Sequence, residues 1–303
     1  MQQAILLDKL SRVEQLATAS KLTRLLAQPL KYAHAILHRK IIYANNKQSK
    51  EVNAPTFFGK EMTLLLPAST DIYLTGGKSH NSEIRLAKFL INNLIAGDAF
   101  LDVGAHYGYF TLLAATLVTN IGQVLAFEAS KNTFAILNKN TQASKNIRAI
   151  NKAVSDTVGS ITFYEFPNLY SEYNSIDIAQ FKNTKWFDKE PPIKNTIATV
   201  PLATFLAEEK FVPKIIKIDV EGAEFKVVSG LQTYLTKQSP LIAMEYVSSE
   251  RKNEAHQKAV ALLAAVGYKS YTIDEDGGLV LCTNLDAHLA QQQLESDNIV
   301  FKK

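Results

Sequence analysis

"FLDVGAHYGYF", residues 100–110, joins an apolar run ending on an acid to a turn with two glycines and the start of a helix. In doubly wound α/β folds, the turn after the first strand lies at the carboxyl edge of the sheet, where nucleotides bind. Gly104 permits a backbone that other residues resist, and Gly108 lets the new helix pack closely. Glu128 ends the next apolar run, "GQVLAFE", 20 residues after Gly108, where an acid can take both ribose hydroxyls.

The spacing departs from the dinucleotide fingerprint. It reads Asp-x-Gly-x-x-x-Gly, with His106 where a pyrophosphate would need glycine. Asp102, two residues before the first glycine, suits a cationic ammonium better than a phosphate. The pattern points to one adenosine with an amino-acid tail, S-adenosylmethionine, and away from a nicotinamide cofactor.

Working outward, strands and helices alternate on both sides of this turn. A helix carrying Ile84, Leu86, Phe89, Leu90 and Leu94 precedes it. After it come strand 147–153, a hairpin arm at "GSITFYEF", strand 195–200, helix 202–209, strand 214–219, helix 223–236, strand 241–246 and helix 252–266. "YKSYTI" and "GLVLC" close the core. Such alternation predicts a mostly parallel α/β sheet with helices on both faces. Upstream, "EMTLLL" and "DIYL" read as short strands, and two amphipathic helices fill the first forty residues. Three regions follow: a helical N-terminal extension (1–50), a connector with short strands (51–80) and the α/β domain (81–303).

Composition narrows the function. The net charge of +4 hides an asymmetry: residues 1–50 carry nine Lys/Arg against two acids, and the rest is net acidic. That weighs against nucleic acid as partner of the whole protein. One cysteine excludes an intramolecular disulfide and a cysteine-rich zinc site, and no two of the six histidines have helix spacing with carboxylates that would make a zinc site. No apolar stretch is long enough to span a membrane, and the start lacks a signal-peptide core, so the expected location is cytoplasmic. Peripheral membrane contact by residues 1–40 and a homodimer through the N-terminal helices both stay open.

Four stretches in order, "FLDVGAHYGYFTLLAA", "VLAFEASKNTFAILNKN", "NKAVSDTVGSITFYEF" and "VPLATFLAEEKFVPKIIKIDVEGAEFKVVSGL", resemble the FkbM family of S-adenosylmethionine-dependent methyltransferases. The resemblance implies a class I methyltransferase (Rossmann-like) fold with a seven-stranded sheet whose last strands form a reversed hairpin. It also implies O-methylation of a small-molecule or glycan acceptor. By the same resemblance, Asp102, Gly104, Ala105, His106 and Gly108 form the methionine-side turn. Glu128 and Ala129 hold the ribose, Lys152 and Ala153 border the adenine, and Glu83 faces the cofactor's amino group. The family usually has asparagine at 106 and proline at 129. A non-catalytic α/β adaptor that keeps the fold is the alternative reading.

Methyl transfer from a sulfonium is an in-line displacement, and a sugar hydroxyl is a poor nucleophile, so a base or a divalent cation should assist. Asp219, ending the strand "IIKID", is the first candidate base; Glu221 shares the role or binds the cation, which is left open. Lys217 pairs with Asp219 at strand period, and His80 is an alternative base. Glu224 suits the start of a helix. Glu245 at a strand end, with Tyr170, Tyr173 and Trp186 of the 167–194 loop, are candidates for the acceptor.

Overall fold

The computed structural model of the chain describes residues 2–179, 181–182 and 184–303, so two positions of the 167–194 loop lie outside the described residues. Three helices come first: α1 (Gln2–Thr18), α2 (Lys21–Ala27) and α3 (Pro29–Leu37). The last runs into a π-helical stretch, His38–Tyr43, and a short α4 (Ala44–Asn46). Ser20 caps α2 by accepting the Thr23 N–H, and Pro29 takes the first turn of α3, where its missing N–H is no loss. A hairpin, β1 (Lys50–Pro55) and β2 (Glu61–Leu66), follows. "DIYL", read as a strand, lies in helix α5 (Thr70–Thr75); four alternating residues cannot separate the two periods, and Gly76 at φ +78° ends the helix in the left-handed region.

The alternating part begins with α6 (Asn81–Asn93), β3 (Ala99–Val103), α7 (Tyr109–Val118), β4 (Gln123–Phe127), α8 (Lys131–Thr141) and β5 (Ile147–Ile150). It continues through β6 (Ala153–Ser155), β7 (Gly159–Glu165), β8 (Ile193–Pro201), α9 (Leu202–Glu208), β9 (Ile215–Ile218), α10 (Glu224–Leu235), β10 (Leu241–Val247) and α11 (Glu254–Ala265). β11 (Lys269–Ile273), β12 (Leu279–Leu281), α12 (Leu285–Gln292) and β13 (Ser296–Lys302) complete it. The main sheet runs β12-β11-β13-β10-β9-β3-β4-β5, parallel from β10 to β5, with β13 antiparallel between β10 and β11.

This is the expected class I methyltransferase arrangement with eight strands where seven were expected, β12 being the addition at one edge. The strand beside β10 is "SDNIVFK", which sequence reading passed over. Its three-residue apolar run, Ile299–Phe301, follows a polar stretch and shows no alternation. The arm at "GSITFYEF" is β7, paired antiparallel to β8 in a separate three-stranded sheet, β6-β8-β7.

Helices cover both faces of the main sheet. One apolar cluster joins Leu6, Leu10 and Val13 of α1 to α6 and α7; the other joins β9 and β10 to α9, α10 and α11. Each large buried apolar side chain contributes about 1.5–3 kcal/mol, so these faces fix the sheet's position. The parallel strands therefore open their carboxyl ends along one edge. Among the described residues, no helix is long and apolar enough to cross a membrane.

Candidate active site

Sheet register builds the site's floor. Asp102 of β3 and Ala243 of β10 both pair with Lys217 of β9, so the three lie in one row. Two residues on, at the strands' carboxyl ends, come Gly104, Asp219 and Glu245, which the strand period puts on the same face. The Asp219 N–H donates to the Val103 carbonyl at 3.0 Å. A Cβ on Gly104 would sit 1.7 Å from the Asp219 carbonyl oxygen, and its φ is +80°, so close backbone approach and a left-handed turn both require glycine here. Gly108 (φ +89°) starts α7, where a Cβ would lie 2.7 Å from the Leu137 side chain.

A cavity of about 410 Å³ lies over this edge. Of the residues expected at the cofactor, Glu83, Gly104, Ala105, His106, Glu128, Ala129, Lys152 and Ala153 line it; of those expected in catalysis, His80, Lys217, Asp219 and Glu221; of those expected at the acceptor, Glu245 and Tyr173. Asp102, Gly108, Tyr170 and Trp186 do not line it. Asp102 was expected at a ligand's ammonium. It is fully buried instead, accepting from Thr111 Oγ1 at 2.6 Å and facing Lys217 Nζ at 3.5 Å, because Lys217 is its cross-strand partner. Tyr170 and Trp186 stack on each other with ring centroids 4.2 Å apart, in an aromatic cluster that includes Phe166 and Phe181. Apolar neighbours of their own draw them away from the cavity.

Charge is arranged in three groups. On the floor, Lys217 Nζ lies 3.1 Å from Asp219 Oδ2. Burial acts to lower the Lys217 pKa, but the Asp219 and Asp102 carboxylates outweigh it and hold the group above its ordinary value, as an ammonium. The Asp219 side chain is 40% exposed and opens into the cavity.

Beside it, Glu221, Glu245 and Arg251 form the second group, with Arg251 Nη2 at 3.1 Å from Glu221 Oε2. Burial, with Glu245 adding to it, raises the Glu221 carboxyl well above its usual range. Burial and the Asp219 charge raise Glu245 to about 7. Glu221 adopts φ +46°, its carbonyl accepting from the Ser175 hydroxyl, and Gly222 follows at φ +90°. His106 (φ +50°) and Gln293 (φ +53°) share this uncommon left-handed geometry, so three non-glycine residues held there line the cavity.

The third group is Lys78, at 3.0 Å from Glu83 and 2.6 Å from Glu172. Glu172 belongs to a 3-10 stretch, Asn168–Tyr173, that lies against the cavity; the Lys78 charge lowers its carboxyl to about 2. Ser171 of the same stretch is 2.9 Å from His106 Nε2. Burial lowers the His106 imidazole to about 4, so it is neutral near pH 7. Lys78, Ser171, Glu172 and Arg251 went unread in the sequence. Lys78 and Glu172 are 94 positions apart, so no local spacing marks them. Glu224 is fully buried at the start of α10, its carboxylate accepting the Gly222 N–H and lying 3.4 Å from His256.

The cavity fits an adenosyl ligand with an amino-acid tail. Glu128 Oε2 accepts the His106 N–H at 2.9 Å and Oε1 the Ser130 N–H at 2.8 Å, which aims the carboxylate; each oxygen keeps a lone pair for a hydroxyl. Burial pushes Glu128 up to about 8 against those two N–H groups, a cost that a hydroxyl donor would offset. Phe127, Val154, Ile161 and Phe163 supply an apolar wall for a base. Among the described residues no group of three or more metal-ligating side chains is assembled.

The sequence matches the Methyltransferase FkbM domain over residues 102–270. None of the curated proteins matches it. Among solved structures it is similar to methyltransferase FkbM from Methylobacillus flagellatus KT, at 14% identity and TM-score 0.41, covering 78% of this chain and 53% of that one. Aeropyrum pernix fibrillarin, in complex with natively bound S-adenosyl-L-methionine, is similar at 11% identity and TM-score 0.38, over 72% and 74% of the two chains. An S-adenosylmethionine-dependent O-methyltransferase from Thermotoga maritima is similar at 12% identity and TM-score 0.38, over 82% and 76%. With the domain matched over more than half its length, the chain belongs to the FkbM family of methyltransferases, with S-adenosylmethionine as methyl donor.

Proposed function

We propose that the acceptor is a hydroxyl of a sugar, a glycan or a secondary metabolite, and that the product is its O-methyl ether. The observation that carries this reading is the row of acids at the carboxyl ends of β9 and β10. Asp219 and Glu245, with Glu221 and Arg251, border the cavity next to the Gly104 turn. Carboxylates and a guanidinium side by side offer acceptors and donors for a polyhydroxylated ligand.

Bound S-adenosylmethionine supplies an electrophilic methyl group. The chain's own part is alignment and proton handling. Asp219 accepts the hydroxyl's hydrogen bond and takes its proton as the oxygen gains the methyl group. Lys217, 3.1 Å away and anchored by Asp102, holds the Asp219 carboxylate in place. Glu221, Glu245 and Arg251 orient neighbouring hydroxyls, and Tyr173 offers a ring face against the acceptor. His80, at the start of α6, lies on the same cavity as the alternative base.

A labelled-methyl transfer assay over a panel of glycans and hydroxylated metabolites tests the acceptor class; label only on nitrogen or carbon acceptors would sink it. For the base, Asp219→Asn lowers turnover by roughly 10²-fold or more while S-adenosylhomocysteine affinity, by calorimetry, stays within a few-fold. Turnover near wild type in that variant moves the role to His80 or Glu221.

A further inference from the structure

Residues 15–50 contain seven Lys/Arg and no Asp or Glu. Between the end of α1 and Lys50, where β1 begins, they fold as α2, α3, the π-helical stretch and α4. The inner side of this arm is packed: Ala35, His38 and Tyr43 are buried, and Lys31 and His34 meet Tyr73 of α5. The outer side is covered by nothing described. α2 has no buried residue, and Leu22, Leu26, Leu30, Leu37 and Ile41 are exposed, Leu30 at 86% and Leu26 at 73%. Leu30, Leu37 and Ile41 are seven and four positions apart, on one side of one continuous helical rod. Lys21 and Lys40 are exposed beside them and form no ion pair among the described residues, while Arg39, also exposed, lies on the side of Tyr170.

We propose that this face docks the protein on an anionic lipid bilayer. The leucines enter the boundary between headgroups and acyl chains, and the cations lie on lipid phosphates. A ridge of apolar side chains flanked by unpaired cations complements such a surface in both respects. A second copy complements it poorly, because an isologous contact would set the same cations against each other in a segment with no acid to pair them. The arm's packed side also reaches the 167–194 loop, through Lys47 at 2.6 Å from the buried Glu190 carboxylate.

The test uses the full chain and sedimentation with vesicles of phosphatidylcholine, alone or with a one-third share of phosphatidylglycerol. Wild type should bind the anionic vesicles at least tenfold more tightly than the neutral ones, and added salt should release it. Leu26→Glu/Leu30→Glu should lose more than tenfold, and Lys21→Gln/Lys40→Gln about fivefold per cation removed. Unchanged S-adenosylhomocysteine affinity in both variants establishes that they fold. The proposal is overturned if wild type ignores anionic vesicles at low salt, binds neutral ones equally, or binds as well after the leucine changes. It is also overturned if wild type is a dimer that Leu26→Glu/Leu30→Glu splits, which would give the face to a second copy.

Discussion

Two pairs of carboxylates stand at one cavity, Asp102 buried beneath it and the other three on its lining, each pair with a single cation, yet they are held in different ways. Asp102 meets Lys217 from the paired strand β3 and Asp219 from two residues further along the same chain, so register and strand period set their spacing. Glu221 and Glu245 meet Arg251 from a left-handed loop, a strand end and a short 3-10 turn, Ser249–Arg251. In the first set the ammonium stays charged well past neutrality. In the second, burial raises both carboxyls, Glu245 to about 7, so Glu245 exchanges its proton near pH 7. A sheet fixes charge by geometry, whereas a loop-built cluster leaves room for a proton to come and go.

The largest effect should come from breaking the sheet's side. Gly104→Ala drives a Cβ into the Asp219 backbone, which no side-chain rotation relieves. We expect a loss on the order of 3 kcal/mol or more, lowering the melting midpoint by roughly 6 °C or more. Gly222→Ala, on the loop side, meets nothing nearer than the Ser175 hydroxyl at 3.7 Å. Its cost is then only the left-handed backbone, about 1–2 kcal/mol. Equal melting curves for the two variants would erase the distinction between register and loop.

The same distinction governs what could be read before the fold was known. Asp102, Gly104, Glu128 and Asp219 stand at strand ends, and apolar runs mark strand ends. The positions could therefore be read, but their partners could not: that Asp102 faces Lys217 follows from which strands are neighbours. Lys78, Glu172 and Arg251 come from turns and a 3-10 stretch with no periodicity, and only tertiary packing brings them to the cavity. Tyr170 and Trp186 were misplaced for the converse reason. An aromatic in a loop serves a sugar or another ring equally well on paper, and here the neighbouring rings won. β13 escaped notice because a short apolar run becomes a strand only when β10 and β11 flank it.

An intermediate effect tests the proton on the loop side. With Glu245 raised to about 7, the folded chain holds a proton there that the unfolded chain has already lost above its ordinary value, near 4.5. Stability from this site therefore falls as pH rises from about 4.5 to about 7. Glu245→Gln should flatten that slope: the variant matches wild type near pH 4 and gains on the order of 1–2 kcal/mol at pH 8, after discounting for partial exposure. Lys217 titrates above this window and adds no slope of its own. Melting curves across the range decide it, and parallel pH profiles for both proteins would refute a proton held on Glu245.

The smallest effect belongs to the third group, whose sign is opposite. Lys78 holds Glu172 at about 2, so the pair stabilises the fold above the ordinary carboxylate range and loses this as pH falls towards 2. Half of the Glu172 side chain is exposed, so solvent screens the pair. Glu172→Gln should cost less than about 1 kcal/mol at pH 7, a melting shift of no more than about 2–4 °C, and nothing near pH 2. Its local consequence is larger than its global one. The Lys78 contact ties the Asn168–Tyr173 stretch to the segment preceding α6, so amide exchange in that stretch should quicken while the exchange of β3 and β9 stays unchanged. Faster exchange in the strands as well would mean that the contact supports the sheet itself, and that loop and register are not separable here.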